Sequence, residues 1–381
     1  MIRLFAHSDG ARFAGLRSVP RGFALAAAVA ALSLPASHLL AQKQVPPAPA
    51  APVPQAEQAP AQPAQQAAPG QAVPPAPAPS TAEPKFPPPN PKDFTAASPS
   101  KETVDSFLRA SWGYDANRVW EVAGIMKTPV EGVSKVIIYV GEKGNPKPAV
   151  LEFFTMPDGK HIIAGNQIVA FGAHPYSDYR AQVQQRANGP FRGSASKNLE
   201  IVEFADFECP HCKDAQVDMD KLAADFPEAR IVFQFYPLES IHPEAKKSAA
   251  YGYCVNKLGG SNAFQKFASA VFAGQQGLST PDGATLTLNS SVVKAGLDPK
   301  KIGACAADPA TSTDIEASVK LAQDLNIFET PMLVVNGREV PPTGVPYETL
   351  KKIIEYQAQM DGVPLQSASS ATPPAPGAST K

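Results

Sequence analysis

Two thiols two residues apart, Cys209 and Cys212, are the side chains of this sequence best suited to chemistry. They end the run Leu199-Glu200-Ile201-Val202-Glu203-Phe204-Ala205-Asp206-Phe207-Glu208-Cys209-Pro210-His211-Cys212, whose first half has the apolar, β-branched character of a strand. Beyond it Ala215, Met219, Leu222, Ala223 and Phe226 recur at helical spacing, so the dithiol falls where a strand feeds an amphipathic helix. Pro210 suits the first turn of that helix, which needs no donor from it. Unpaired N–H groups and the helix dipole stabilise an anion there, and the thiolate is the reactive form of cysteine. Cys209 is therefore the expected nucleophile. Cys212, one turn in and buried, is the thiol expected to resolve a mixed disulfide. Lowering the pKa of Cys209 from near 8.5 to about 4 would favour the reduced form by roughly 4 kcal/mol at pH 7, or about 90 mV of oxidising power.

Three neighbours bear on that chemistry. His211 is expected to add a positive charge or a donor beside the thiolate, the plainer alternative being an exposed first-turn residue. Glu203, a carboxylate inside an otherwise apolar strand, is expected to be a buried proton relay that takes and returns the proton of Cys212. Its alternative is a carboxylate on a solvated strand face. Asp206 and Glu208 read as exposed loop acids that modestly oppose thiolate formation.

With the acid six residues before the first cysteine, the segment Phe207-Glu208-Cys209-Pro210-His211-Cys212, and a distant Thr330-Pro331 before the strand Met332-Leu333-Val334-Val335 and the Asn336-Gly337 turn, the stretch from Leu199 to Met360 resembles the DsbA-like thioredoxin-fold disulfide oxidoreductases. The resemblance implies an α/β thioredoxin fold with a helical insertion, here about residues 243–326, that caps the dithiol. It also implies that Pro331 is cis and faces the two thiols. A proline there supplies no N–H to the sheet, which leaves the backbone of Thr330 to pair with an extended client peptide. Cys254 and Cys305 both fall in helical stretches of the insert and are expected to be bridged; two free buried thiols, or a second redox pair, stay open as alternatives. A single CxxC argues against zinc, and Lys213 stands where c-type haem attachment requires histidine.

Outside this domain the composition changes sharply. Arg3, Arg12, Arg17 and Arg21 precede an apolar run from Gly22 to Leu34, so residues 1–41 read as an export signal or an uncleaved N-terminal anchor. Residues 42–92 are rich in Pro, Ala and Gln and read as a disordered linker. At about 3.1 Å per residue, some fifty residues would reach roughly 150 Å. Residues 93–190 read as a small α+β domain: a helix from Ser100 to Trp112, then strands over Val119 to Ile125, Val133 to Val140, Ala149 to Phe154 and His161 to Phe171. Parts of it, Pro129 to Val133 and Phe154 to Gly165, are similar to the small dimerisation domain of DsbC-like isomerases. Arg180 to Ser196 reads as the linker into the domain at 191–362, and residues 363–381 as a disordered tail.

The functional expectation follows from these parts. A net charge of -1 argues against a nucleic acid partner. The resemblance implies an exported thiol–disulfide oxidoreductase, periplasmic or extracellular, with tethering by an uncleaved N-terminus as the alternative to release, that needs no cofactor beyond its redox-active disulfide. Its partners would be reduced or unfolded client proteins and a membrane or soluble redox partner. Pro210-His211 favours an oxidase that donates the Cys209–Cys212 disulfide. Thr330 and the N-terminal domain favour the alternative, a homodimeric isomerase or reductase joined through residues 93–190. Two non-enzymatic alternatives are a thiol carrier of a soft metal such as Cu(I) and a binding scaffold whose proline-rich arm contacts the cell wall.

Overall fold

The structure, a computed structural model, describes residues 84–165 and 167–365. The expected signal at 1–41, the linker as far as 83 and the tail beyond 365 lie outside the described residues.

The small domain is built as its hydrophobic periods require. Helix α1 (Lys101–Trp112) is capped by the Ser100 hydroxyl, which accepts from the Thr103 N–H at 3.2 Å. It buries Val104, Phe107, Leu108 and Trp112 against an antiparallel meander of β1 (Arg118–Lys127), β2 (Ser134–Glu142), β3 (Ala149–Thr155), β4 (His161–Ala164) and β5 (Gln167–Ala170). The run from His161 to Phe171, expected as one strand, is two, because the chain turns at Gly165 with φ of 63°.

Two expected linkers are folded where the structure describes them. Residues 84–92, the end of the proline-rich spacer, lie on the small domain: the ring of Phe86 stacks on Tyr139 of β2 with centroids 6.1 Å apart. Pro84 is buried beside Gly141 as well, so a few contacts with β2 seat a segment whose composition alone argues for disorder. Residues 180–196 form most of α2 (Ser177–Arg186) and all of β6 (Phe191–Gly193). Val183 and Ala187 are buried with Val202, Phe204, Leu321 and Leu325, so one narrow apolar stripe holds a helix that reads as polar. Gly189 marks close packing here: a Cβ at this position would lie 2.0 Å from the Phe233 carbonyl oxygen.

The second domain has a five-stranded sheet in the order β10 (Arg338–Val340), β9 (Met332–Val335), β7 (Glu200–Ala205), β8 (Arg230–Phe235), β6. Strand β7 runs parallel to β8 and antiparallel to β9, and β6 runs antiparallel to β8. Leu199, Ile201, Ile231 and Leu333 face α3 (Pro210–Asp225) and α8 (Tyr347–Met360), whose Met219, Leu222, Ile353 and Ile354 meet them. Val202, Phe204, Val232 and Val334 face the opposite layer. With both faces covered, β7 is buried along its whole length. This is a thioredoxin-like fold.

The insert consists of α4 (Ala245–Ala273), broken at Gly260 with φ of 77°, then α5 (Pro281–Lys294), α6 (Pro299–Ala306) and α7 (Pro309–Asp324). Thr280, Asp298 and Asp308 cap the last three, each followed by proline in the first turn. A disulfide between Cys254 and Cys305 joins α4 to α6. Phe207, from the active-site turn, packs among Phe233, Phe235, Phe264, Phe267 and Phe272, which fastens the insert to the end of the sheet.

Buried Arg338 links the two domains. Its guanidinium donates to the carbonyls of Ala110 and Ser111 at the C-terminus of α1 and to Gln357, while the Tyr356 hydroxyl donates to the Arg109 carbonyl at 2.8 Å. The Arg338 guanidinium thus takes up two carbonyls that a helix end leaves unpaired, while the Arg109 carbonyl also accepts from the capping Gly113 N–H. No described helix is long and apolar enough to cross a membrane.

Candidate active site

Strand β7 delivers the turn Asp206–Glu208 to the N-terminus of α3, where Cys209 is the cap residue and Pro210 opens the helix. The Cys212 N–H bonds the Cys209 carbonyl at 3.1 Å, placing both sulfurs on the first turn. On the other side, the Thr330-Pro331 peptide is cis. The Cys209 thiol donates to the Thr330 carbonyl at 3.4 Å, so residues separated by 121 positions meet at the nucleophile. Cys209 is 5% exposed and Cys212 is fully buried.

These surroundings separate the two thiols electrostatically. Cys209 is lowered to about 5, first by a hydrogen bond from the Cys212 thiol and then, against the opposing cost of burial, by the Thr330 hydroxyl and the N–H groups of Cys212 and His211. The backbone N–H groups thus help, but the neighbouring thiol does more. Among the described residues the buried Thr330 hydroxyl has no other hydrogen-bond partner, which leaves its proton for the thiolate. Cys212 is pushed well above the usual thiol range, by burial first and then by its bond to Cys209. The side chain of His211 is exposed, and the group by which this residue reaches the sulfur is its backbone N–H.

Glu203 lies in the middle of β7, 3% exposed and raised to about 7 by burial. Gln216 donates to its Oε1 at 2.8 Å and to the Cys212 carbonyl at 3.1 Å, tying the carboxyl to the helix that carries the dithiol.

The expectation that Asp206 and Glu208 are exposed loop acids does not hold. Asp206 is 2% exposed, and its carboxylate accepts from the N–H groups of Leu238 (2.8 Å) and Glu208 (2.9 Å) and from His242 Nδ1 (2.8 Å). Glu208 is half-buried and accepts from the Glu244 N–H at 2.6 Å; burial raises its carboxyl. The segment after β8 folds over the turn and buries both, a long-range event with no local signal. Gln275 is a further residue that sequence reasoning missed: it donates to the carbonyls of Phe207 (2.8 Å) and Cys209 (2.9 Å), so the insert holds the turn directly. Its contacts lie more than sixty residues away, and no spacing announces them. Among the described residues, no group of three or more His, Cys, Asp or Glu is arranged to hold a metal ion.

Residues 185–356 match the family described as Thioredoxin. Among solved structures, a thioredoxin-like oxidoreductase from Silicibacter pomeroyi is 24% identical, covers 47% of this chain and 98% of its own, with a TM-score of 0.41. DsbA2 of Pseudomonas aeruginosa is 28% identical over 45% of this chain and 96% of its own, with a TM-score of 0.38. Among curated proteins, the Na(+)/H(+) antiporter NhaA 3 of Salinispora tropica is 29% identical over 147 residues, 39% of this chain. The chain spans about a fifth (21%) of the length of that relative.

Proposed function

We propose, from the premise that residues 185–356 are a DsbA-like domain of the thioredoxin family, that the protein is an exported thiol–disulfide oxidoreductase acting as an oxidase of client proteins. One observation carries this reading: the Cys209 sulfur lies between the first turn of α3 and the Thr330 carbonyl, with its pKa lowered to about 5 while that of Cys212 is raised. A dithiol held in that way stabilises its reduced form and so gives its disulfide away.

In this mechanism a client thiolate attacks the Cys209 sulfur of the oxidised pair. The client–Cys209 bond forms, the Cys209–Cys212 bond breaks, and its electron pair goes to the Cys212 sulfur, which takes a proton. In this mechanism Glu203, raised to about 7, supplies that proton. A second client thiolate then attacks the client sulfur and Cys209 departs as a thiolate. The reduced pair passes its two electrons to a membrane or soluble redox partner. Thr330 and Pro331 form the ledge on which the client backbone docks. The redox-active disulfide is the only cofactor required, and the periplasm or extracellular space is the compartment in which such a product persists.

Refolding of a reduced, disulfide-containing client, run beside insulin reduction and a Cys209→Ser variant, tests the reading. Oxidation of the client by the wild-type protein and none by the variant is expected. Equal activity in the variant removes the mechanism, and a reduction potential near that of thioredoxin, about −270 mV, assigns the protein to the reductases or isomerases instead.

A further inference from the structure

Asp206 does more than end a strand. Its carboxylate is wholly buried and held by three donors, of which two are backbone N–H groups and the third is a side chain 36 residues away, His242 Nδ1 at 2.8 Å. Its own N–H lies against the Cys212 sulfur at 3.4 Å, and its carbonyl accepts from the Cys209 N–H at 3.2 Å. A buried carboxylate is costly unless fully bonded, and beside a site whose chemistry produces anions it would be repulsive. What the arrangement supplies in return is orientation: with the side chain pinned at both oxygens, the backbone of this one residue cannot turn its N–H away from Cys212.

We propose that His242 is a positioning residue for disulfide opening: by locking the Asp206 carboxylate, it holds the Asp206 amide as the donor that receives the Cys212 sulfur when that sulfur leaves. The inference deepens the exchange reading above and rests on it. When the client thiolate bonds to Cys209, the electron pair of the broken Cys209–Cys212 bond collects on Cys212, a sulfur buried away from water. A fixed N–H aimed at it acts as oxyanion-hole donors do in acyl transfer, and a better-stabilised leaving thiolate departs faster. The ionisable groups acting on Cys212 are Cys209 and Glu203; both are negative when charged, and the Asp206 amide is what offsets them. The side chain of His242 is 17% exposed and its hydrogen bond goes to Asp206, not to a sulfur; it also acts electrostatically on the neighbouring Glu208 carboxyl, so its effect on Cys212 is indirect.

The test uses the full chain. In a Cys209→Ser background, with Cys254 and Cys305 bridged, Cys212 is the one thiol left to titrate and is followed by thiolate absorbance. His242→Leu is expected to raise that titration by about one unit and to slow opening of the oxidised Cys209–Cys212 pair by dithiothreitol about tenfold, the weight of one hydrogen bond. His242→Asn, whose amide N–H can stand where Nδ1–H stood, is expected to restore both. A general packing role would not move the Cys212 titration, nor be rescued by asparagine. If the leucine variant does not fold, His242→Ala titrated with and without added imidazole makes the same comparison, with imidazole expected to return Cys212 to its wild-type titration. Active wild-type protein whose Cys212 titration is indifferent to His242→Leu, or to imidazole in His242→Ala, overturns the positioning role alone. Wild-type protein inert toward thiols overturns the exchange reading and the positioning role with it.

Discussion

Acidification should weaken the reduced protein more than the oxidised protein, by an amount that the Cys209 site determines. The folded thiol titrates at about 5; an unfolded one titrates near 8.5. Because the folded state binds this proton less tightly, the stabilisation is complete above pH 8.5 and is lost as pH falls through 5. It amounts to about 2.7 kcal/mol at pH 7 and close to nothing at pH 4, which corresponds to about 60 mV of oxidising power at neutrality. The cross-link itself constrains the unfolded chain equally at both pH values, and Glu203 titrates in both redox forms, so the change between pH 7 and pH 4 isolates Cys209. Denaturant unfolding of oxidised and reduced protein at the two pH values measures it. The advantage of the reduced form should shrink by 2–3 kcal/mol on acidification, or about 2 if residual solvent screens the sulfur. A difference that stays constant across that range, or a thiolate absorbance that appears only near pH 8.5, refutes the account of the site.

Two further perturbations probe the surroundings. Glu203, raised from 4.5 to about 7 by burial, is neutral in folded and unfolded chains below pH 4.5, whereas between 4.5 and 7 only the unfolded chain ionises, so stability falls as pH rises; Glu203→Gln should therefore match the wild type at pH 4 and exceed it by about 3 kcal/mol at pH 8 in denaturant unfolding, and equal stability at both pH values would show that the carboxyl is not held neutral. Breaking the Cys254–Cys305 bridge, which spans 51 residues of sequence, in a Cys254→Ser, Cys305→Ser double variant should cost up to about 4 kcal/mol from restored freedom of the unfolded chain; a loss under about 1 kcal/mol would show that helix packing alone holds the insert.

Legibility in the sequence followed the range of the interaction. Ser100 as a cap, Pro210 at the first turn of a helix and the 336–337 turn, with positive φ at both residues, are set by atoms a few residues apart, and their side-chain types declare them. Gly337 also admits the Tyr176 carbonyl within 2.2 Å of where a Cβ would stand, a demand only the folded chain makes. Residues 180–196 misled because their polarity describes the outer side of α2, while Val183, with Ala187 just beyond the helix, buries the inner side. The proline-rich spacer misled at its end for the same kind of reason, since Phe86 finds Tyr139 only after β2 exists.

What the chain determined by itself was the dithiol, its helix, the alternation of a small α+β unit with a larger α/β one, and the helical character of the insert, because each is written in periodicity and in local hydrogen-bonding chemistry. Tertiary structure decided which acids are buried, which residues hold the turn and how the two thiols differ. His242, Gln275 and Thr330 come to the active-site turn from three separate segments, through Asp206, the Cys209 carbonyl and the Cys209 thiol, and the desolvation that raises Glu203 and Cys212 exists only once those segments have closed over them. Burial and long-range hydrogen bonds depend on how the chain packs in three dimensions, and no stretch of sequence contains them until it is folded.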